Sequence, residues 1–245
     1  PQMDARLEPY FERGILNRKI RDVVDWPPGS FTDGGTGERD NHEMMPINTV
    51  INAFHAHTLR LMSRMAAAIG RQDDADRLAA RAEQVSDTIN RLLFDPSSGL
   101  YIDGEGSAHS SVHSNLFMLA FELIPDDRKH PVIEFVKSRG MACSVYAAQY
   151  LLDALFMNGE ADHAVGLITA QHDRSWWNML QVGSTMTLEA WDWKYKNNLD
   201  WNHAWGAAPA NLIPRWILGV RPLAPGFTEA VIQPQPAPGE ETLPV

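Results

Sequence analysis

Glu189 lies in GSTMTLEAWDWKYKNNLDWNHAWG, and six of the chain's eight tryptophans fall between Trp176 and Trp205. Indole rings present flat apolar faces that stack on the C–H faces of a sugar ring, while a carboxylate, an imidazole and an amide bond its hydroxyls. A carboxylate walled by aromatics is hard to solvate, so it needs partners or a task, and taking a proton from water is a task open to a glutamate. The mixture suits a carbohydrate pocket; a glutamate on a surface helix is the competing reading of the same residues. Downstream, Asp200-Trp201-Asn202-His203-Ala204-Trp205 places polar groups between indoles. His203 could donate to a sugar hydroxyl, and the alternative is a helix-capping Asn202 beside a packed histidine.

Other clusters are less specific. Asp25-Trp26-Pro27-Pro28-Gly29, followed by Asp33, Glu38, Arg39, Asp40 and His42, reads as an acidic loop bent by proline and glycine, either functional or simply solvated. His109 and His113 stand four apart, a spacing that can turn two imidazoles toward one metal. No acidic third ligand in a metalloprotease arrangement accompanies them, so no metal is expected, and His113 with Asn115 is read as a pocket edge. Met44, Met45, Met62 and Met65 read as core filler. The sequence has no phosphate-cradling glycine loop, no serine nucleophile elbow and no dinucleotide fingerprint, so no cofactor is expected.

Composition bounds what these residues can serve. With 245 residues, 44% hydrophobic and 21% charged, the chain suits one large globular domain, or one plus a fragment of another. Lys+Arg 21 against Asp+Glu 31 gives a formal net charge of −10, which repels phosphate backbones and anionic headgroups; nucleic acid and membrane surfaces are not expected partners. Cys143 is the single cysteine, which excludes an internal disulfide and fits a reducing compartment. No apolar run reaches the roughly 18 residues of a membrane span. The chain opens on Pro1, from which a natural N-terminus further upstream is expected.

The elements that must position these groups read mainly as helices in antiparallel pairs. Between Asn48 and Ile69, Val50, Phe54, Leu61, Met65 and Ile69 recur at helical spacing before a stop at Gly70. Asp73 or Asp74 can cap a second helix carrying Leu78, Ala82, Val85, Ile89 and Leu92, and so short a connection makes the two neighbours. DPSSGLYIDGEG reads as turn, strand and turn. Helices are then expected over 112–123, from Pro131 as a first helical residue, over 145–157 behind a Ser144 cap, over 161–170, and over 204–218. After Gly219 the chain turns proline-rich, with alternation over 227–232 that predicts one strand, read as the start of a β domain.

In order along the chain, DWPP, RDNHE, NTVINAF, GLYIDG, HSSVHSN, SVYAAQYLL, WWNML, GSTMTLEAWD, DWNHAWGAAP and LGVRPLAPGF resemble the catalytic-domain half of bacterial α-L-rhamnosidases of glycoside hydrolase family seventy-eight. The resemblance implies an all-α (α/α)6 barrel of six helical hairpins, incomplete here and spanning 1–218, with 219–245 a linker and the first strand of a truncated C-terminal β-sandwich. It implies an inverting hydrolase that removes terminal α-L-rhamnose from a rhamnose-containing glycoside, in a bacterial cytoplasm or periplasm. Glu189 matches the family's T-x-x-E-x-W general base and is expected to be ionised near neutrality. Asn202-His203 matches the pair that touches rhamnose, and Trp26 the D-W indole of the sugar site. Trp191 and Trp205 either line the pocket or brace the glutamate, and Asp25 and Asp40 are further candidates around the sugar.

The family's general acid lies in an acidic-Arg-Glu-Arg motif that PQMDARLEPYFERG, with Asp4, Glu8 and Glu12, does not reproduce. The acid is therefore expected upstream of residue 1, and the piece alone is expected to be inactive. A non-catalytic sugar-binding toroid, or a lyase or another glycosidase on the same fold, are the alternatives, since one fold hosts many chemistries.

Overall fold

The computed structural model describes residues 6–17, 24–26 and 38–236; Asp4, Pro27–Gly29 and Asp33 lie outside the described residues. The chain forms two compact units, the first from residues 1–24 and 40–136 and the second from 25–39 and 137–245.

The first unit is built on helix α1 (Thr49–Ala68) and helix α2 (Gln72–Leu92), which pack together as an antiparallel hairpin. Asn48 caps α1, its side chain accepting from the Ile51 N–H. Asp73 and Asp74 do not cap α2. They lie in its first turn behind Arg71, where acidic side chains complement the helix dipole. On α2 the expected stripe is buried through Leu78, Ala82, Val85 and Ile89. On α1 Val50 is buried as expected, but the face continues through Ala53, Ala56 and Leu59, while Leu61, Met65 and Ile69 are 42%, 68% and 71% exposed. Alanines carry little hydrophobic signal, yet they let a neighbouring helix approach closely, so the packed face is rotated from the one that large apolar residues suggest. Met44 and Met65 are exposed, which corrects their reading as core filler.

A short hairpin, strand β3 (Phe94–Asp95) against strand β4 (Leu100–Tyr101), follows, where one strand is expected from the sequence. Helix α3 (Val112–Ala120) packs on α1, with Phe117 at 4.8 Å from Phe54 between ring centroids. Helix α4 (Asp126–Arg139) begins directly after Pro125, so Pro131 sits inside it rather than at its first position; Asp126 and Asp127 fill the first turn. An earlier small hairpin joins strand β1 (Phe11–Glu12) to strand β2 (Ile15–Leu16), and Asn52 of α1 clamps the Leu16 backbone through both its N–H and its carbonyl.

Buried Asp103 is the polar hub of this unit. Its carboxylate accepts from the backbone N–H groups of Glu43 and Ser111 and from Ser114 Oγ, and it faces His42 at 3.2 Å and His109 at 2.6 Å. Burial would raise its pKa, but these bonds, those of His42 and Ser114 foremost among the side chains, hold it far below the ordinary carboxylate range.

In the second unit, helix α5 (Ala147–Met157) pairs with helix α6 (Ala161–Ile168) across Asn158-Gly159, where Gly159 takes a φ of 81°. Ser144 holds the start of α5, its Oγ accepting from the N–H groups of Tyr146 and Ala147. Helix α7 (Trp176–Gln181) is capped by Ser175. The expected helix over 204–218 is three pieces: a 3-10 turn (Ala204–Gly206), helix α8 (Ala208–Leu212) and a π-helical turn (Ile213–Ile217). The π turn lets Arg215 and Trp216 both reach Asp153 of α5, at 3.1 and 2.5 Å. The predicted final strand is one arm of a hairpin, strand β5 (Val220–Pro222) against strand β6 (Ala230–Ile232).

Candidate active site

Glu189 lies on no helix. It belongs to an irregular segment that α7 and the 3-10 turn hold from two sides. From α7, the Asn178 amide donates to Trp191 O and Asp192 Oδ2, and Trp176 Nε1 donates to Gly206 O at 2.7 Å. The segment around Glu189 then pairs with the one around His203: Glu189 N donates to Asp200 O, His203 N donates to Thr187 O, and Thr187 Oγ1 donates to His203 O. Trp205 Nε1 adds a bond to Glu189 O at 3.0 Å. Gly206 is required by this clasp, because a Cβ there would come within 2.7 Å of Leu188 O.

The side chain of Glu189 is thereby turned into a small polar cluster. The residue is 8% exposed, and its Oε2 takes two donors: Lys196 Nζ at 2.8 Å and the Asp200 backbone N–H at 3.0 Å. Its Oε1 accepts no hydrogen bond among the described residues. Burial pushes the carboxyl pKa up, but the Lys196 hydrogen bond, the Asp200 N–H and the positive charges of Lys196 and His203 outweigh it, and the pKa falls below its ordinary value. One oxygen each of Glu189 and Asp200 and one ring nitrogen of His203 lie within 4.8 Å of one another, the only set among the described residues that converges closely enough for a metal. In this arrangement the Lys196 ammonium already supplies the cation at Glu189. The His203 ring stacks on Trp205, 4.2 Å between centroids and 27° between planes, and Trp205 leans on Tyr146 at 5.6 Å. His203 Nδ1 is buried without a hydrogen-bond partner among the described residues.

The Asp25-Trp26 segment is bonded into the same unit. Ser144 donates its backbone N–H and its Oγ to the Asp25 carboxylate, which also takes the Trp26 N–H. Next to Ser144, Cys143 O accepts Trp191 Nε1 at 2.7 Å. Residues 141–146 therefore brace Trp26, Trp191 and Trp205 together. Trp26 is 39% exposed and Asn202 is exposed, so both have surface to offer a ligand; Asn202 makes no capping bond.

Two expected sugar contacts, Asp25 and Asp40, are corrected, and one alternative is decided. Trp191 is fully buried against Trp176, so of its two expected roles it takes the bracing one. Asp25 is buried with its carboxylate spent on Ser144 and Trp26. Asp40, in the first unit, is buried and accepts the Val112 N–H at the start of α3. His109 precedes α3 while His113 is inside it, so the pair does not share a helix face, and Asn115 clamps the Tyr101 backbone rather than edging a pocket. Glu8 pairs with Arg81, and Glu12 accepts from Asn17.

Sequence reasoning did not single out Lys196, Arg174 or the pairing role of Glu38. Partly buried Arg174 donates to Glu38 Oε2 at 3.1 Å and to the carbonyls of Met141 and Cys143, and lies over the Tyr195 ring. Burial pushes the Glu38 carboxyl up to about 8 despite that guanidinium, with the Asp25 charge adding to the rise. Lys196 stands seven residues after Glu189, but no helix spans 189–196, so periodicity does not mark the pair.

Residues 4–217 match the family described as the bacterial alpha-L-rhamnosidase 6 hairpin glycosidase domain, and the chain belongs to that family of glycoside hydrolases. An alpha-L-rhamnosidase of Alteromonas sp. (strain LOR) is 26% identical over 232 residues, covering 86% of this chain and 24% of the relative. The crystal structure of a GH78 family rhamnosidase of Bacillus sp. GL1 is similar with a TM-score of 0.79 and 26% identity, covering 96% of this chain and 25% of that one. The Streptomyces avermitilis alpha-L-rhamnosidase complexed with L-rhamnose shares the fold at a TM-score of 0.73 and 19% identity, covering 95% of this chain and 22% of that one. The chain thus spans about a quarter of the length of the relatives it matches.

Proposed function

We propose that the complete protein hydrolyses terminal α-L-rhamnose from glycosides with inversion, and that Glu189 is its general base. The observation that carries this reading is a nearly buried carboxylate held ionised, with one oxygen bonded twice and the other accepting nothing among the described residues. Such an oxygen can accept a proton from water as that water attacks the anomeric carbon. His203, steadied on Trp205, and Asn202 and Trp26 hold the rhamnose. An inverting site needs a carboxylic acid roughly 6.5–9.5 Å from the base, to protonate the leaving oxygen. None of the described carboxylates is assigned that task. Residues 1–218 are read as part of the six-hairpin catalytic domain and 219–245 as the start of a β domain. Exposed Leu223, Phe227 and Ile232 on and beside the terminal hairpin support that division.

The test is proton NMR of an aryl α-L-rhamnoside during its first turnovers by the complete protein. The β anomer of L-rhamnose should appear first. An α anomer would remove the inverting mechanism, and intact substrate beside a correctly folded protein would remove the hydrolase reading.

A further inference from the structure

Two donors converge on one oxygen of Glu189, and one of them comes from a side chain with no part in the reading above. Lys196 Nζ is 2.8 Å from Oε2, and the two side chains are only 12% and 10% exposed. The ammonium has a second acceptor in Asn198 O at 2.9 Å, and a backbone turn from Leu199 N to Lys196 O fixes the residue that carries it. The Asp200 N–H lands on the same Oε2. A carboxylate serving only as a structural anion would gain by engaging both oxygens; here both donors share one, which fixes the carboxylate plane and leaves the other oxygen's lone pairs unspent.

We infer that Lys196 is the positioning residue of the proposed base: with the Asp200 N–H it anchors Oε2, keeps Glu189 ionised, and presents Oε1 to the attacking water. The inference rests on the reading of Glu189 as the base. An ammonium this close, on side chains only 12% and 10% exposed, interacts more strongly than it would in open water. The other titratable groups around Glu189 are His203, whose charge acts in the same direction, and Asp200, which contributes its backbone N–H while a carboxylate oxygen of its side chain, within 4.8 Å, is a like charge that acts against it. Tyr146, behind Trp205, is held neutral by burial, with its pKa pushed well above the usual phenol value.

The experiment is the pH dependence of kcat/KM for an aryl α-L-rhamnoside in the complete protein, comparing wild type, Lys196→Met, Lys196→Arg and Glu189→Gln. Without the ammonium, burial acts on Glu189 with less opposition. The acid limb of Lys196→Met should therefore move to higher pH, with kcat/KM at the acid end roughly tenfold or more below wild type. Lys196→Arg should return the limb toward wild type, and L-rhamnose binding, read by tryptophan fluorescence, should change by no more than about twofold in either variant. An acid limb of Lys196→Met that coincides with the wild-type limb overturns the inference, as does a loss equal at every pH that arginine does not repair. If Lys196→Met fails to fold by circular dichroism, Lys196→Gln takes its place with the same two outcomes. Should Glu189→Gln retain wild-type rates, the base reading itself fails; a dead Glu189→Gln beside an unmoved Lys196→Met limb rejects only the role of Lys196.

Discussion

Glu189 and Glu38 belong to the same unit, both are buried, and both face a cation, yet their proton affinities move in opposite directions. Glu189 receives an ammonium and a backbone N–H on one oxygen and the charge of His203 nearby, which together outweigh its burial. Glu38 is more completely buried and has Arg174 at 3.1 Å, but the Asp25 charge opposes its ionisation, and its pKa is raised from 4.5 to about 8. A group whose acid form is favoured in the fold retains a proton that the unfolded chain has already released. Between about pH 4.5 and 8 the native state therefore binds more protons at Glu38, and its contribution to stability falls as pH rises. Glu38→Gln, which cannot ionise, should flatten that decline: melting temperatures of variant and wild type should diverge in the variant's favour from pH 5 to pH 8. A constant difference across that range would contradict the raised pKa.

At the level of elements, the helices carry the site without forming it. The α1–α2 and α5–α6 hairpins were legible because Gly70 and Asn158-Gly159 stop one helix just before the next apolar stripe begins. The face of α1 was not, since its contacts are made by Ala53 and Ala56 rather than by Leu61 or Met65. The long helix expected over 204–218 breaks because Gly206 must sit against Leu188 O and Trp216 must reach Asp153, two tertiary demands that local spacing does not encode. The same holds for the Glu189 segment: its order comes from Asn178, Trp176 and Trp205 bonding to backbone groups distant in sequence. Adding one methyl group at Gly206 tests that clasp. Gly206→Ala should cost about 1–3 kcal/mol of stability by denaturant unfolding, because the new Cβ has no room beside Leu188 O and Thr187. A change near zero would mean that the two segments are free to part.

For the whole molecule, Glu189, Lys196, His203, Asn202, Trp205 and Trp26 all fall in the second compact unit, while Asp40 serves the first. Motifs scattered from Trp26 to Trp205 gave the family, and with it the proposed roles of Glu189 and His203. Asp25 and Asp40 show the limit of such matching: a buried aspartate serving the fold looks, in one dimension, like one serving a ligand. With six of the chain's eight indoles in the Trp176–Trp205 stretch that carries Glu189, occupancy of the proposed sugar site should be visible in tryptophan emission. The most direct measurement is therefore made on Glu189→Gln in the complete protein, with the fold verified by circular dichroism. L-rhamnose should still quench its fluorescence saturably, showing that the site binds, while kcat on an aryl α-L-rhamnoside falls about 10²–10⁴-fold as a general base is lost. A kcat equal to that of the wild type would contradict the assignment of Glu189 as the base.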